Sequence, residues 1–187
     1  MEKKEIRKLI FKRRREADAD GCEKNSRIIC EKIMETEAFK NASVIYVYMD
    51  CKGEVSTKPL LEEAWRLGKK TAAPRVTGPG IMKYYYISSY EDTAPGYYDI
   101  PEPVTETEAH DEEALLIVPG VAFDRNCHRC GYGQGFYDRY LSAHRKHTTF
   151  AVAFDFQLVE EVPAGTYDIF PQRLVTEKEV FVCQEHC

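Results

Sequence analysis

Two pieces of sequence decide the architecture, Ala114-Leu-Leu-Ile-Val-Pro-Gly120 and, after a polar loop, Arg129-Cys-Gly-Tyr-Gly-Gln-Gly-Phe-Tyr-Asp138. Residues 114–118 carry no charge and no breaker, the pattern of a strand buried on both faces of a sheet. Pro119 and Gly120 end it, glycines 131, 133 and 135 follow, and a helical pattern runs over residues 136–145. Strand, glycine-rich loop and helix in that order form an α/β unit, and in open α/β sheets ligands gather at the carboxyl ends of the strands.

Outward from this unit the same alternation continues. Residues 2 to about 19 read as a helix with Ile6, Leu9 and Ile10 on one face, and Gly21 separates it from a second helix over residues 23–34. Residues 44–49 are β-branched and aromatic, hence a buried strand. A helix is expected over 59–67, a strand over 71–73 that Pro74 stops, and another over 82–87 beyond the turn Gly78-Pro-Gly80. Residues 91–113 read as a surface excursion, and residues 149–154 and 174–182 supply the last strands. The expected fold is one α/β domain over residues 1–187, three layers deep, with a mostly parallel central sheet and helices on both faces.

Composition narrows the function. The longest apolar run, residues 44–49, is too short to span a bilayer, and the charged N-terminus lacks a secretory core, so the default compartment is the cytoplasm. Seven scattered cysteines fit reduced thiols better than a disulfide framework. The formal charge is −5, yet residues 1–16 hold eight Lys/Arg against three Glu, which leaves −10 for the rest. An acidic body with one basic helix argues against a nucleic-acid partner. It suits a helix folded over a small anionic ligand, or simply a solvated face.

The glycine loop is where the chemistry concentrates. Its glycines let backbone amides approach an anion, and the helix starting near Phe136 offers free N–H groups and a positive dipole end. Arg129 and Arg139 add guanidinium groups, and Asp138 is a hard oxygen donor for a magnesium ion that accompanies phosphates. The Lys-Ser/Thr of a P-loop is missing, and the spacing from the strand fails as a dinucleotide fingerprint. The same residues could also form a tight loop entering a helix.

The run Ala122-Phe-Asp124 … Arg129-Cys-Gly-Tyr-Gly-Gln-Gly-Phe-Tyr-Asp-Arg-Tyr-Leu141 closely resembles the signature of the 5-formyltetrahydrofolate cyclo-ligase family. Lys3-Lys-Glu-Ile-Arg7, Tyr48-Met-Asp-Cys-Lys-Gly-Glu54, Ala73-Pro-Arg-Val76, Ile100-Pro-Glu-Pro103 and the order Val162-Pro, Asp168, Val175-Thr-Glu177 extend the likeness over the whole chain. The resemblance implies that Lys3, Lys4, Arg7, Arg129, Gly131, Tyr132, Gly133, Gln134, Gly135, Phe136 and Tyr137 contact ATP. It implies that Met49, Glu54 and the span from Tyr132 to Phe136 contact the folate, that Asp138 holds magnesium, and that Arg129, Lys3 and Arg7 serve catalysis. Gln172 stands where the family usually has a second Asp near the metal, and Cys130 where it usually has Leu.

The implied reaction converts 5-formyltetrahydrofolate and ATP into 5,10-methenyltetrahydrofolate, ADP and phosphate, through a phosphorylated formyl oxygen. The implied partners are those two substrates, without nucleic acid or membrane, in a monomer or weak homo-oligomer. Two other readings stay open. One is a zinc module using Cys127 and Cys130 with Cys183, His186 and Cys187. The other is a nucleotide-binding relative that has lost turnover, for which Gln172 is the hint. Asp124 could be catalytic or could close a turn, and Tyr84-Tyr-Tyr86 and Tyr97-Tyr98 could stack on a pterin or serve the sheet.

Overall fold

A computed structural model describes residues 1–51 and 53–183. In chain order its elements are α1 (Lys3–Glu16), α2 (Ala19–Met34), α3 (Glu37–Asn41), β1 (Val44–Tyr46), α4 (Lys58–Arg66), β2 (Lys70–Gly78) and β3 (Ile81–Ile87). The short strands β4 (Thr93–Pro95) and β5 (Pro101–Pro103) follow, then β6 (Leu115–Val118), β7 (Ala122–Phe123) and β8 (Arg129–Cys130). The chain continues through α5 (Phe136–Ala143), β9 (Thr148–Val152), β10 (Arg173–Val175) and β11 (Val180–Val182).

Seven strands form one sheet in the order β11-β10-β9-β6-β1-β2-β3. The four inner pairings are parallel, and only the outermost, β2 with β3 and β10 with β11, are antiparallel. The mixed, mostly parallel α/β sheet expected from the sequence is therefore present. Side chains alternate along each strand. Ile45, Val47, Ile117, Phe150, Val152 and Val175 pack under Ile29, Ile33, Leu60 and Leu61 of α2 and α4. Val44, Tyr46, Leu116, Val118, Ala151 and Leu174 face the other way, toward Leu141 of α5. Helices thus cover both faces. Among the described residues no helix is long and apolar enough to cross a membrane.

Several local expectations change. The first helix breaks at Ala17 and Asp18, not at Gly21, because the Asp18 carboxylate caps α2 by accepting from the Gly21 N–H at 2.8 Å. β2 runs through Pro74, which pairs with Tyr84 of β3. Register with β1 ends at Ala72, so the rest of β2 has an open side where a missing N–H breaks no ladder. Residues 91–113 contain the β4–β5 hairpin, and residues 174–182 divide into β10, a turn and β11.

The cysteines also depart from expectation. Cys127 and Cys183 form a disulfide across 56 positions of sequence, while Cys22, Cys30 and Cys130 are free thiols. Cys127 adopts φ 66 in the turn between β7 and β8, and both partners pack in the second core layer. Cys130 sits in a different apolar cluster with Ile6, Ile10, Val121, Ala122 and Val162. The sequence pair Cys127/Cys130 is therefore split between two layers, and among the described residues no group of three or more His, Cys, Asp or Glu side chains comes together to hold a metal. That removes the zinc reading as drawn; His186 and Cys187 lie outside the described residues.

Candidate functional site

The strand order reverses at β1. The chain moves from β1 outward to β2 and β3, then returns to the opposite side of β1 for β6, β9 and β10. Loops leaving the carboxyl ends of β1 and β6 must diverge there, and a crevice opens between them. A cavity of about 850 Å³ lies at this place, walled by Tyr48, Met49, Cys51 and Glu54, the loop 129–139, α1, the β2–β3 hairpin, the β4–β5 hairpin and residues 166–169.

The first wall is charged. Ile6 and Ile10 seat α1 on β7 and β8, and the same seating turns Lys3 and Arg7, four residues apart, toward the cavity. The Lys3 ammonium pairs with Asp168, and Arg7 Nε donates to the Gly131 carbonyl at 2.7 Å. Arg129 is buried on β8; its Nη2 donates to Asp138 Oδ1 at 2.7 Å, and its Cζ lies 5.7 Å from the Tyr137 ring centre. Arg129 Nε is buried without a hydrogen-bond partner among the described residues. A buried donor left unpaired costs about 1–3 kcal/mol.

The glycine loop turns between these groups. Gly133 has φ +100 and Gly135 φ +67, backbone that side-chain-bearing residues seldom adopt. Gly135 is also the N-cap of α5, so the first amides of that helix open into the cavity. Arg139 ties the loop to the opposite hairpin: its Nε donates to the Gly80 carbonyl at 2.8 Å, and its Nη2 to Gln134 O.

The second wall is apolar, formed by Met49, Pro74, Val76, Met82 and Ile100. Residues 48–57 are braced from within: Tyr48 OH donates to the Val55 carbonyl at 2.5 Å, and Thr57 Oγ1 to the Tyr48 carbonyl at 2.8 Å. The brace sets Glu54 at the cavity edge, where burial pushes its carboxyl pKa up while bonds from Tyr132 and Cys51 oppose the shift. At the mouth stand Tyr97 and Tyr98, with Tyr98 and the next residue, Asp99, both left-handed at φ 55 and 59. Such strain costs on the order of 1 kcal/mol per residue and persists where surrounding structure enforces it.

Of the expected site residues, Lys3, Arg7, Met49, Glu54, Arg129, the whole run from Gly131 to Tyr137 and Asp138 line this one cavity. Lys4 does not: one step along a helix rotates it about 100° away from Lys3, and it is exposed. Gln172 is also elsewhere. Its Oε1 accepts from the Thr149 N–H at 3.2 Å, so it closes the end of the β9–β10 ladder and does not face the cavity. Asp124 closes its turn, accepting from Asn126 N, His128 N and His128 Nδ1, and also binds Val162 N, all at 2.8–3.0 Å. Tyr84 is core, stacked 4.6 Å from Tyr46.

Sequence reasoning gave no role to Asp168, whose carboxylate meets Lys3 here, or to Tyr97 and Tyr98 at the mouth. Asp168 follows Pro163-Ala-Gly-Thr-Tyr167, an unpatterned loop that offers no local signal.

Residues 1–177 match the model of the 5-formyltetrahydrofolate cyclo-ligase family. The 5-formyltetrahydrofolate cyclo-ligase of Escherichia coli K12 is 30% identical over 181 residues, covering 92% of this chain and 99% of its own length. A probable 5-formyltetrahydrofolate cyclo-ligase of Caenorhabditis elegans is 25% identical over 195 residues, covering 96% and 95%. The solution NMR structure of Aquifex aeolicus 5,10-methenyltetrahydrofolate synthetase superposes with a TM-score of 0.87 at 31% identity, over 100% of this chain and 95% of that one. A 5,10-methenyltetrahydrofolate synthetase from Mycoplasma pneumoniae, 18% identical, shares the fold with a TM-score of 0.77 over 95% of this chain and 99% of that one.

Proposed function

The chain belongs to the 5-formyltetrahydrofolate cyclo-ligase family, and from that membership we propose how its cavity joins ATP to 5-formyltetrahydrofolate. The protein is an enzyme, a 5-formyltetrahydrofolate cyclo-ligase. The charged wall takes the triphosphate and the apolar wall takes the folate, with the glycine loop between them. The observation that carries this division is Arg129: a buried guanidinium on the cavity wall, held on one side by Asp138.

The chemical problem is a poor leaving group. N10 of the folate cannot expel the formyl oxygen of an amide unless that oxygen is first activated. In the proposed sequence the formyl oxygen attacks the γ-phosphorus, the bond to the β-phosphate oxygen breaks, and ADP leaves. N10 then adds to the formyl carbon, loses its proton, and the C–O bond breaks to release phosphate. The protein forms no covalent bond in this scheme. Its part is to align the two oxygens and to hold the migrating negative charge. Arg129, Arg7, Lys3 and the loop amides are the donors for that charge. Glu54 holds the amino-pyrimidine edge of the pterin, and Met49 packs against its ring.

Two carboxylates suit a magnesium ion. The protein bonds to Asp138 fall on Oδ1 and those to Asp168 on Oδ2, so each keeps one oxygen without a protein partner among the described residues. Hard, anionic oxygens of this kind are magnesium donors. Asp138 and Asp168 would hold the ion, which would supply positive charge against the β- and γ-phosphate oxygens. The reading as a relative without turnover rested on Gln172, whose amide oxygen accepts from the Thr149 N–H and does not line the cavity.

The direct test is to mix the protein with 5-formyltetrahydrofolate and MgATP and follow the methenyl product by its absorbance. Product formation that requires both substrates is expected; ATP binding without any product would refute the reading. Gly133→Ala probes the loop. At φ +100 an added methyl strains the backbone by about 1–3 kcal/mol or re-aims its amides. The KM for ATP should rise about tenfold, with the circular dichroism spectrum unchanged. An unaltered KM would show that the loop amides do not grip the nucleotide.

A further inference from the structure

Helix α1 carries a third cation on the stripe that presents Lys3 and Arg7. At 100° per residue, positions 3, 7 and 14 fall within about 40° of one another, spread along about 16 Å of helix. The first two line the cavity, whereas Arg14 does not. Arg14 Nη1 instead donates to Tyr132 OH at 2.7 Å, and its Nη2 to the Gly120 carbonyl at 2.9 Å. The Tyr132 hydroxyl in turn donates to Glu54 Oε1 at 2.5 Å, while Cys51 N–H holds Oε2 at 3.1 Å. The Tyr132 ring rests against α1, with its centre 6.0 Å from that of Phe11 and 5.9 Å from Arg14 Cζ.

A phenol has one proton to give. With the Arg14 guanidinium supplying a donor on one side, the hydroxyl must accept there and point its hydrogen at Glu54. Charge-assisted bonds of this kind are about twice as strong as neutral ones, and a chain of them polarises each link. We propose that Arg14 is a positioning residue for 5-formyltetrahydrofolate: through Tyr132 it fixes the orientation of Glu54, the acid that receives the pterin. The helix that meets the triphosphate at its first turns therefore sets the folate site at its last. This rests on the assignment of Glu54 to the folate.

Burial raises the Glu54 pKa, and Arg14 and Tyr132 are among the groups that oppose that rise. Without them a larger fraction of Glu54 carries a proton and presents one acceptor fewer to the ligand.

The test is steady-state kinetics of Arg14→Ala, Tyr132→Phe and the double variant. Each single change should raise the KM for 5-formyltetrahydrofolate about tenfold, as loss of one charge-assisted bond does, and leave the KM for ATP within about twofold. The double variant should be no worse than the worse single one, because both changes cut the same chain. Equal rises in both KM values, a loss confined to kcat, or additive effects would each overturn the proposal. Arg14→Ala also removes the bond to Gly120 and could weaken the fold. Tyr132→Phe keeps that bond, so a wild-type folate KM in this variant overturns the proposal by itself. Absence of methenyl formation in the wild-type protein would instead defeat the enzymatic reading, which separates the two failures.

Discussion

Replacing Asp138 by Asn is expected to lower kcat for methenyl formation by about 10³-fold while the protein stays folded. The asparagine keeps an oxygen for the two donors that Asp138 Oδ1 now accepts, Arg129 Nη2 at 2.7 Å and Ile169 N–H at 3.3 Å. It loses the negative charge and the second anionic oxygen that a magnesium ion would need. Alanine at the same place is a harsher change. The Arg129 side chain is 5% exposed, and removing its carboxylate partner strands a buried charge, a loss of about 3 kcal/mol for a pair of this kind. Asp138→Ala should therefore be inactive and also less stable in urea, whereas Asp138→Asn should be inactive alone. If Asp138→Asn turned over within tenfold of the parent, Asp138 would have no part in holding the metal.

Arg129→Ala is expected to cost about 10³ to 10⁵ in kcat, the range over which a single arginine stabilises phosphoryl-transfer charge. Arg129→Lys should recover little of it. An ammonium restores the charge but not the planar fork that can hold Asp138 and a phosphate oxygen together. The shorter set of donors also leaves the Pro119 carbonyl, now 3.4 Å from Arg129 Nη1, without its partner. Single-turnover measurements with saturating ATP isolate the phosphoryl-transfer step from binding. Near-parental rates in Arg129→Lys would mean that charge alone suffices and that the fork geometry is incidental.

Much of this site could be read in one dimension because its groups are local. Gly133 and Gly135 stand where the backbone turns left-handed, and with Gly131 that need shows as spacing. The apolar run ending at Val118 declares a strand buried on both faces, which in turn places the loop after it at the carboxyl end of a sheet. Lys3, Lys4 and Arg7 were legible only through the family resemblance; the helix brings Lys3 and Arg7 to the cavity and turns Lys4 to solvent.

What the chain order could not express are partnerships made across the sheet. Cys127 finds Cys183 rather than Cys130 because the turn before β8 and β8 itself send the two nearby cysteines into different layers. Gln172 bonds to Thr149, Asp168 meets Lys3 from the far end of the chain, and Arg14 reaches Glu54 by way of Tyr132. Periodicity, turn chemistry and glycine spacing depend on bonds between near neighbours, so sequence alone determined the elements, their alternation and the glycine-rich loop. Which charged groups face one another depends on loop closure and on how each element is rotated when its apolar face is buried, and only the tertiary structure decided that.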